Sequence, residues 1–266
     1  MKIYISADME GVTGATHWDE MDRNHKAYEP FQEQMSREVA AACEGAREAG
    51  ADEIRVKDAH GSGRNILARL LPRGVKLIRG WSGHPYSMVQ ELDGSFDALL
   101  MVGYHSRAGH GGNPLSHTMS SAKVESVHIN DRETSEFFLH GNIAGKHGVP
   151  LAFLSGDADL CGEARETNSG MTTHATMKGV GDSTVSIHPE ESIEAIRSGV
   201  KTALEGDLSK CVWSHPESFE VKIRFNKHQG AYRASHYTGA DLLNAKTVRV
   251  SMTDYDDVMR FILFVV

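Results

Sequence analysis

Phe96-Asp97-Ala98-Leu99-Leu100-Met101-Val102-Gly103-Tyr104-His105 contains the most apolar run in the first half of the chain, and it ends on an imidazole. From Phe96 to Val102 the run reads as a central β-strand covered on both faces, the kind found in parallel sheets. Parallel strands need crossover connections, usually helices, and the flanking sequence supplies them. Upstream, Lys2 to Ala7 and Glu53 to Lys57 are β-type runs. Between them Pro30 stands where helices begin. Phe31, Met35, Val39, Ala42, Ala46 and Ala49 then recur at helical spacing, and Gly50 marks the stop. Asn65 to Leu71 is expected as a short helix ended by Pro72, Val75 to Arg79 as a third strand, and Met88 to Leu92 as a brief helical stretch. Downstream, Lys123 to Ile129 alternates and turns at Asn130-Asp131-Arg132, after which Glu136 opens a helix towards Gly145. Pro150 to Leu154 is another buried strand, closed by Ser155-Gly156-Asp157. This alternation predicts an α/β fold with a largely parallel central sheet flanked by helices.

The last third has a different rhythm. A helix is expected over Glu190 to Leu204, with Ile193, Ile196, Val200 and Leu204 on one side. Phe219 to Phe225 and Thr247 to Met252 alternate as strands around a helical turn near Leu242, and a final helix runs from Asp256 towards Phe264. These elements predict a smaller C-terminal α+β lobe over residues 211–266, beside an α/β domain over residues 1–210, with a soft boundary between them.

The 266 residues suffice for one large or two modest cores. Lys and Arg number 28 against 36 Asp and Glu, a net charge of 28 − 36 = −8, with no basic run. Such a chain repels phosphate backbones, so no nucleic-acid partner is expected. No stretch approaches the roughly 20 apolar residues that span a bilayer. The opening run meets Asp8 too early for a signal peptide. A cytoplasmic protein with no membrane partner is therefore expected. Cys43, Cys161 and Cys211 are scattered with no CxxC pair, which points to neither a disulfide framework nor a thiolate zinc site. The 15 histidines raise the prospect of metal or proton chemistry, and position has to single out the ones that matter.

In open α/β sheets, function gathers where loops leave the carboxyl ends of the strands. Asp8-Met9-Glu10-Gly11 follows the first run, Asp58-Ala59-His60-Gly61 the second, Gly103-Tyr104-His105 the most apolar one, and Glu136 the alternating segment with its turn. Each has an ordinary reading: an Asp-x-Glu caps or solvates a loop, and Glu136 suits the first turn of a helix. Together they bring carboxylates and imidazoles to several strand exits in succession. Carboxylates brought to one mouth repel one another and lose hydration unless a cation neutralises them. Mixed carboxylate and imidazole donors suit zinc, with manganese or cobalt as competitors. Asp8 ends the first strand near the sheet centre, so its two oxygens are placed to bridge a metal pair. A glycine-, serine- and histidine-rich segment follows His105, and it reads as a ligand-wrapping loop. Of its two imidazoles, His117 sits in the less glycine-rich stretch and is favoured over His110 as general base or oxyanion donor.

Ser6-Ala7-Asp8-Met9-Glu10-Gly11, Asp58-Ala59-His60, Gly103-Tyr104-His105, Ser116-His117-Thr118-Met119 and Ile129-Asn130-Asp131-Arg132 with Glu136 resemble, in order, the zinc-dependent D-aminopeptidase family. The likeness extends through Ser155-Gly156-Asp157 and Thr172 to Lys178. It implies one metal on Asp8, Glu10 and His60 and a second on Asp8, His105 and Glu136, with His117 as the catalytic histidine. It also implies release of an N-terminal D-amino acid from short peptides such as D-Ala-D-Ala, and a homo-oligomer, in the characterised type a ring-shaped decamer. Around the last ligand the chain departs from the family pattern. It reads Ser135-Glu136-Phe137-Phe138-Leu139-His140, and the bulk of Phe138 and His140 is expected to reshape the substrate pocket.

Rival plans fit less well. The chain has no HExxH, no GxSxG (Gly80-Trp81-Ser82-Gly83 has the wrong spacing), and neither a GxxxxGK[ST] loop nor GxGxxG. A two-metal phosphoesterase or amidohydrolase is the second enzymatic reading, with Arg107 and Arg132 as its phosphate-binding candidates. The non-enzymatic reading is a ring protein that binds a small molecule or a metal.

Overall fold

The computed structural model describes residues 1–214 and 216–266. The first half runs β1 (Lys2–Ala7), α1 (Tyr28–Glu48), β2 (Glu53–Asp58), β3 (Lys76–Ile78), β4 (Ala98–Tyr104), β5 (Val124–Ile129), β6 (Arg132–Glu133) and α2 (Glu136–Lys146). Then come β7 (Leu151–Asp157), α3 (Ala158–Thr167), β8 (Thr172–Val180), β9 (Ser183–Ser186) and α4 (Pro189–Glu205). The chain closes with β10 (Phe219–Phe225), α5 (His228–Ala234), β11 (Asp241–Asn244), β12 (Thr247–Met252) and α6 (Tyr255–Val265).

Seven strands form the main sheet in the order β3-β2-β1-β4-β7-β8-β9, parallel throughout except for the β8–β9 hairpin. The apolar run in β4 is covered on both sides, as expected. Ala98, Leu100 and Val102 pack with Ile3, Ile5, Val39 and Ile196 on the face carrying α1 and α4. Leu99 and Met101 turn to the other face, against Leu139 and Ile143 of α2. The chain is thus an α/β protein with a largely parallel, helix-flanked sheet, and a second, antiparallel sheet lies beyond it.

That second sheet runs β11-β12-β10-β5-β6. β5 and β6 are joined through Asn130 and Asp131, both at positive φ (49° and 63°), the backbone of a tight primed hairpin turn. β10 pairs with β5 on one side and β12 on the other, so this layer draws on residues from both sides of position 210. Its inward residues, among them Val127, Val221, Ile223 and Val248, join the core shared with α2 and α6.

Several local expectations are corrected. The segment around Leu242 is the exposed edge strand β11, and the helix of this region lies earlier, as α5. Asn65 to Leu71 and Met88 to Leu92 shrink to single 3-10 turns at Ala68–Leu70 and Ser87–Val89. α3 and the β8–β9 hairpin, without a clear apolar period, were not anticipated as elements. Among the described residues no helix is long and apolar enough to cross a membrane.

The sheet brings its site loops together by close backbone approach. β1 lies between β2 and β4, and the chain runs away from β1 in opposite directions on its two sides, which leaves a crevice at the carboxyl ends of β1 and β4. There Asp8 N–H donates to Val102 O at 2.8 Å and Gly11 N–H to Gly103 O at 2.8 Å. Gly103 has φ +72°, and a Cβ on it would lie 2.4 Å from the Asp8 carbonyl oxygen. Gly103→Ala is therefore expected to lower stability by about 2–4 kcal/mol through backbone strain and overpacking. Thermal melting checks this, and an unchanged midpoint would contradict the packing described.

Candidate metal centre

Asp8 leaves β1, with Glu10 two residues on. His60 leaves the neighbouring strand β2, and His105 leaves β4 on the other side. Glu136 is the first residue of α2, whose N-cap Ser135 accepts from the Phe138 N–H. His117 comes from the long loop between β4 and β5. The fold brings all six together: Asp8, Glu10 and His60 offer one set of donor atoms, Asp8, His105 and Glu136 a second, and Glu10, His105 and His117 a third. Within each set the atoms lie within 4.8 Å of one another. Asp8, Glu10, His60, His105 and Glu136 are buried and His117 is 14% exposed.

The imidazoles share one design. His60 puts Nε2 on the Met21 carbonyl (3.3 Å) and turns Nδ1 to Glu10 Oε2 (2.9 Å) and Asp8 Oδ1 (3.4 Å). His105 puts Nδ1 on the Ser106 carbonyl (2.9 Å) and turns Nε2 to Asp8 Oδ2 (3.4 Å) and Glu136 Oε2 (3.5 Å). His117 puts Nδ1 on the Leu115 carbonyl (2.9 Å) and turns Nε2 to Glu136 Oε1 (3.6 Å). A ring N–H donated to a carbonyl fixes the tautomer and leaves the other nitrogen with a free lone pair, as metal-ligating histidines require.

The charges match a cation site. Burial, together with Glu10, holds the Asp8 carboxyl above its ordinary range. Burial acts the same way on Glu10 and Glu136, but there the imidazoles prevail. His60 holds Glu10 well below its usual value, and His105 brings Glu136 down to about 2. Burial disfavours charge on His60 and His105 too, yet their carboxylate neighbours hold both well above the ordinary histidine value. Three carboxylates, Asp8, Glu10 and Glu136, are buried together in one cluster, and the middle one, Asp8, is the one disfavoured in its charged form. His105 Nε2, buried, has no hydrogen-bond partner among the described residues. A surplus of buried carboxylate and an orphaned imidazole nitrogen in one cluster fit divalent cations.

A shell behind the six was only partly visible in the sequence. Asp58 is not in the cluster: its carboxylate accepts from the N–H groups of Asn65 (2.5 Å) and Ile66 (2.7 Å), and the Asn65 amide donates to the His60 carbonyl (2.6 Å). Asp157, at the end of β7, accepts from Ser106 N–H and Oγ–H, both at 2.6 Å, and so holds the carbonyl that orients His105. Asn113 donates to the Glu10 carbonyl at 3.0 Å. Nothing local in the sequence marks Asp157 for this role, because its partner is 51 residues away.

The cluster opens on a cavity of about 650 Å³, lined among others by Trp18, Trp81 and Met119. Phe138 and His140, expected to reshape the pocket, do not line it. Phe138 lies 5.2 Å from the Trp213 ring beneath the Arg132 guanidinium, and His140 is fully buried with Nδ1 on the Glu136 carbonyl at 2.7 Å. Arg107 and Arg132 line a separate cavity and are paired with Glu133 and Glu163, which leaves the phosphoesterase reading without its cations. His110 stands in that second cavity too, 3.7 Å from Asp159.

Comparison with known proteins places the chain in a family. The chain is 29% identical over 248 residues to a D-aminopeptidase of Bacillus subtilis (strain 168), an overlap of 93% of this chain and 89% of that one. Its structure superposes on that of the Zn-dependent D-aminopeptidase DppA from Bacillus subtilis, a self-compartmentalizing protease, with a TM-score of 0.92 and 28% identity, covering 100% of this chain and 96% of the other. A sequence profile of the D-aminopeptidase family of peptidases matches residues 1–264, and the chain belongs to that family.

Proposed function

We propose that this protein is a zinc-dependent D-aminopeptidase that releases the N-terminal residue of short D-configured peptides such as D-Ala-D-Ala. In this reading Asp8, Glu10 and His60 hold one divalent cation, Asp8, His105 and Glu136 hold a second, and manganese or cobalt can replace zinc. The observation that carries the reading is Asp8, whose two oxygens face different histidines, Oδ1 towards His60 and Oδ2 towards His105, each at 3.4 Å. When bound, such ions polarise the scissile carbonyl and activate a water. The chain's own residues do the rest. His117, anchored through Nδ1, keeps Nε2 free at the cavity wall to take a proton from water and return it to the leaving amine. The carbonyls of Met21, Ser106 and Leu115 hold the three rings in register, so little reorganisation accompanies the reaction. Zinc and self-assembly are supported by the likeness to the zinc-dependent, self-compartmentalizing relative. We extend this to a homo-oligomer, a ring-shaped decamer, in the cytoplasm.

The direct test is hydrolysis of D-Ala-Gly-Gly by chelator-stripped protein before and after zinc is restored. Activity should vanish and return, and the stripped protein should melt at a lower temperature because ions that bind only the folded state stabilise it. Full activity after verified removal of metal would overturn the reading. A narrower expectation concerns Asp157, which reaches His105 only through Ser106. Asp157→Asn should weaken zinc at the His105 position by about 10–100-fold, the usual cost of losing such a support, and leave the His60 position nearly intact. Stepwise zinc titration against a competing chelator measures both.

A further inference from the structure

Two indoles stand half-exposed on the wall of the metal cavity, Trp18 at 40% and Trp81 at 41% exposure. Nothing in the chemistry above uses them. Both are held in place. Trp81 donates Nε1–H to the Gly61 carbonyl at 2.8 Å, one residue beyond His60. One face of its ring covers the Lys57 ammonium, 3.8 Å from the centroid, and Lys57 is itself buried and tied to the carbonyls of Asp58 (2.6 Å) and Gly80 (2.8 Å). Trp18 sits on a 3-10 turn closed by a His17–Glu20 capping box, with its ring 5.4 Å from the His117 ring. Met21, Met88 and Met119 line the same cavity, adaptable side chains that favour contact with aromatic rings.

We infer that Trp18 and Trp81 are specificity-determining residues, selecting peptides that carry an aromatic side chain beside the scissile bond; this rests on the D-aminopeptidase reading and names its substrate class. Rigid, exposed aromatic rings in a catalytic cavity lose little conformational freedom when a ligand covers them, and stacked or edge-to-face ring pairs add attraction beyond the area buried. A cavity of about 650 Å³ exceeds the needs of an alanyl methyl group and lies in the range that encloses larger ligands. A cationic side chain suits it less, because Lys57 already occupies one face of Trp81.

The test compares kcat/KM of the zinc-loaded full chain on D-Ala-Gly-Gly, D-Phe-Gly-Gly and D-Ala-Phe-Gly, with amino-acid release followed by chromatography. At least one phenylalanyl peptide should be preferred by about tenfold or more, mainly through KM, and the one preferred tells on which side of the bond the ring sits. Trp81→Ala should shrink that ratio by about tenfold, and Trp81→Phe, which retains a ring, by less. Melting curves and light scattering of each variant separate these effects from misfolding and from altered assembly. A preference for D-Ala-Gly-Gly over both others, or a ratio unmoved in Trp81→Ala, overturns the inference and leaves the peptidase reading standing. A Trp81→Ala protein that changes assembly size with no change in selectivity overturns it as well, by making the indole an interface residue. Cleavage of none of the three peptides overturns both.

Discussion

Asp8→Asn should leave a folded protein that holds neither metal ion and does not turn over. Asparagine has nearly the same shape, and its amide oxygen can still accept the Met9 N–H now bound by Asp8 Oδ1 at 2.9 Å. The negative charge facing both His60 and His105 is lost, however, and in the proposed site that charge is common to both ions. With the ions go several kcal/mol of transition-state stabilisation, a fall of roughly 10⁴-fold or more at about 1.4 kcal/mol per decade. Stability of the metal-free protein should not suffer, because Asp8 is the carboxylate that burial and Glu10 disfavour in its charged form. Metal content after dialysis, peptide turnover and a melting curve of the metal-free protein are the three readings. A variant that keeps one ion at full occupancy would show that Asp8 is not shared.

His117→Ala should separate catalysis from metal binding. Its Nε2 faces Glu136 Oε1 at 3.6 Å, and its ring stacks on His105 with centroids 4.3 Å apart. Removal of a proton carrier costs about 10²–10⁴-fold in kcat, with KM little changed and both ions retained. His117 also belongs to a donor set with Glu10 and His105, so the measurement has a second informative outcome. Loss of an ion in His117→Ala would make it a ligand in place of a proton carrier. Full activity would remove it from the mechanism altogether.

The candidate cluster was more legible in the sequence than much of the fold. In a parallel sheet the strand exits share one edge, so finding the apolar runs amounts to finding the loops that meet. Asp8, His60 and His105 follow adjacent strands for that reason. Glu136 and His117 come from outside the sheet, and only their matching donor chemistry and the family likeness connected them to it. Asn130-Asp131 marked its hairpin through residues that tolerate positive φ. What stayed hidden is non-local. The pairing of β5 with β10, from Ile129 opposite Val221 to Val124 opposite Phe225, joins segments far apart in the chain, and no pattern within either names the other. The Asp157 hydrogen bonds to Ser106 are hidden in the same way. Asp241-Leu242-Leu243-Asn244 is too short to show a period, and its two leucines stand exposed on an edge strand. Phe138 and His140 stand out in the sequence as bulk near Glu136, yet α2 turns them into the packing behind it and away from the cavity.

The proposed site would hold a pair of divalent cations between β1, β2, β4 and α2, with one carboxylate in common. Diffraction from zinc-loaded crystals on the two sides of the zinc absorption edge locates the ions without reference to any assumed ligand. Two anomalous peaks per chain are expected, about 3.5–4 Å apart as in other two-metal sites, one against Glu10 and His60, the other against His105 and Glu136, and both against Asp8. A single peak, or two peaks that do not share Asp8, would rule out a metal pair bridged by this carboxylate.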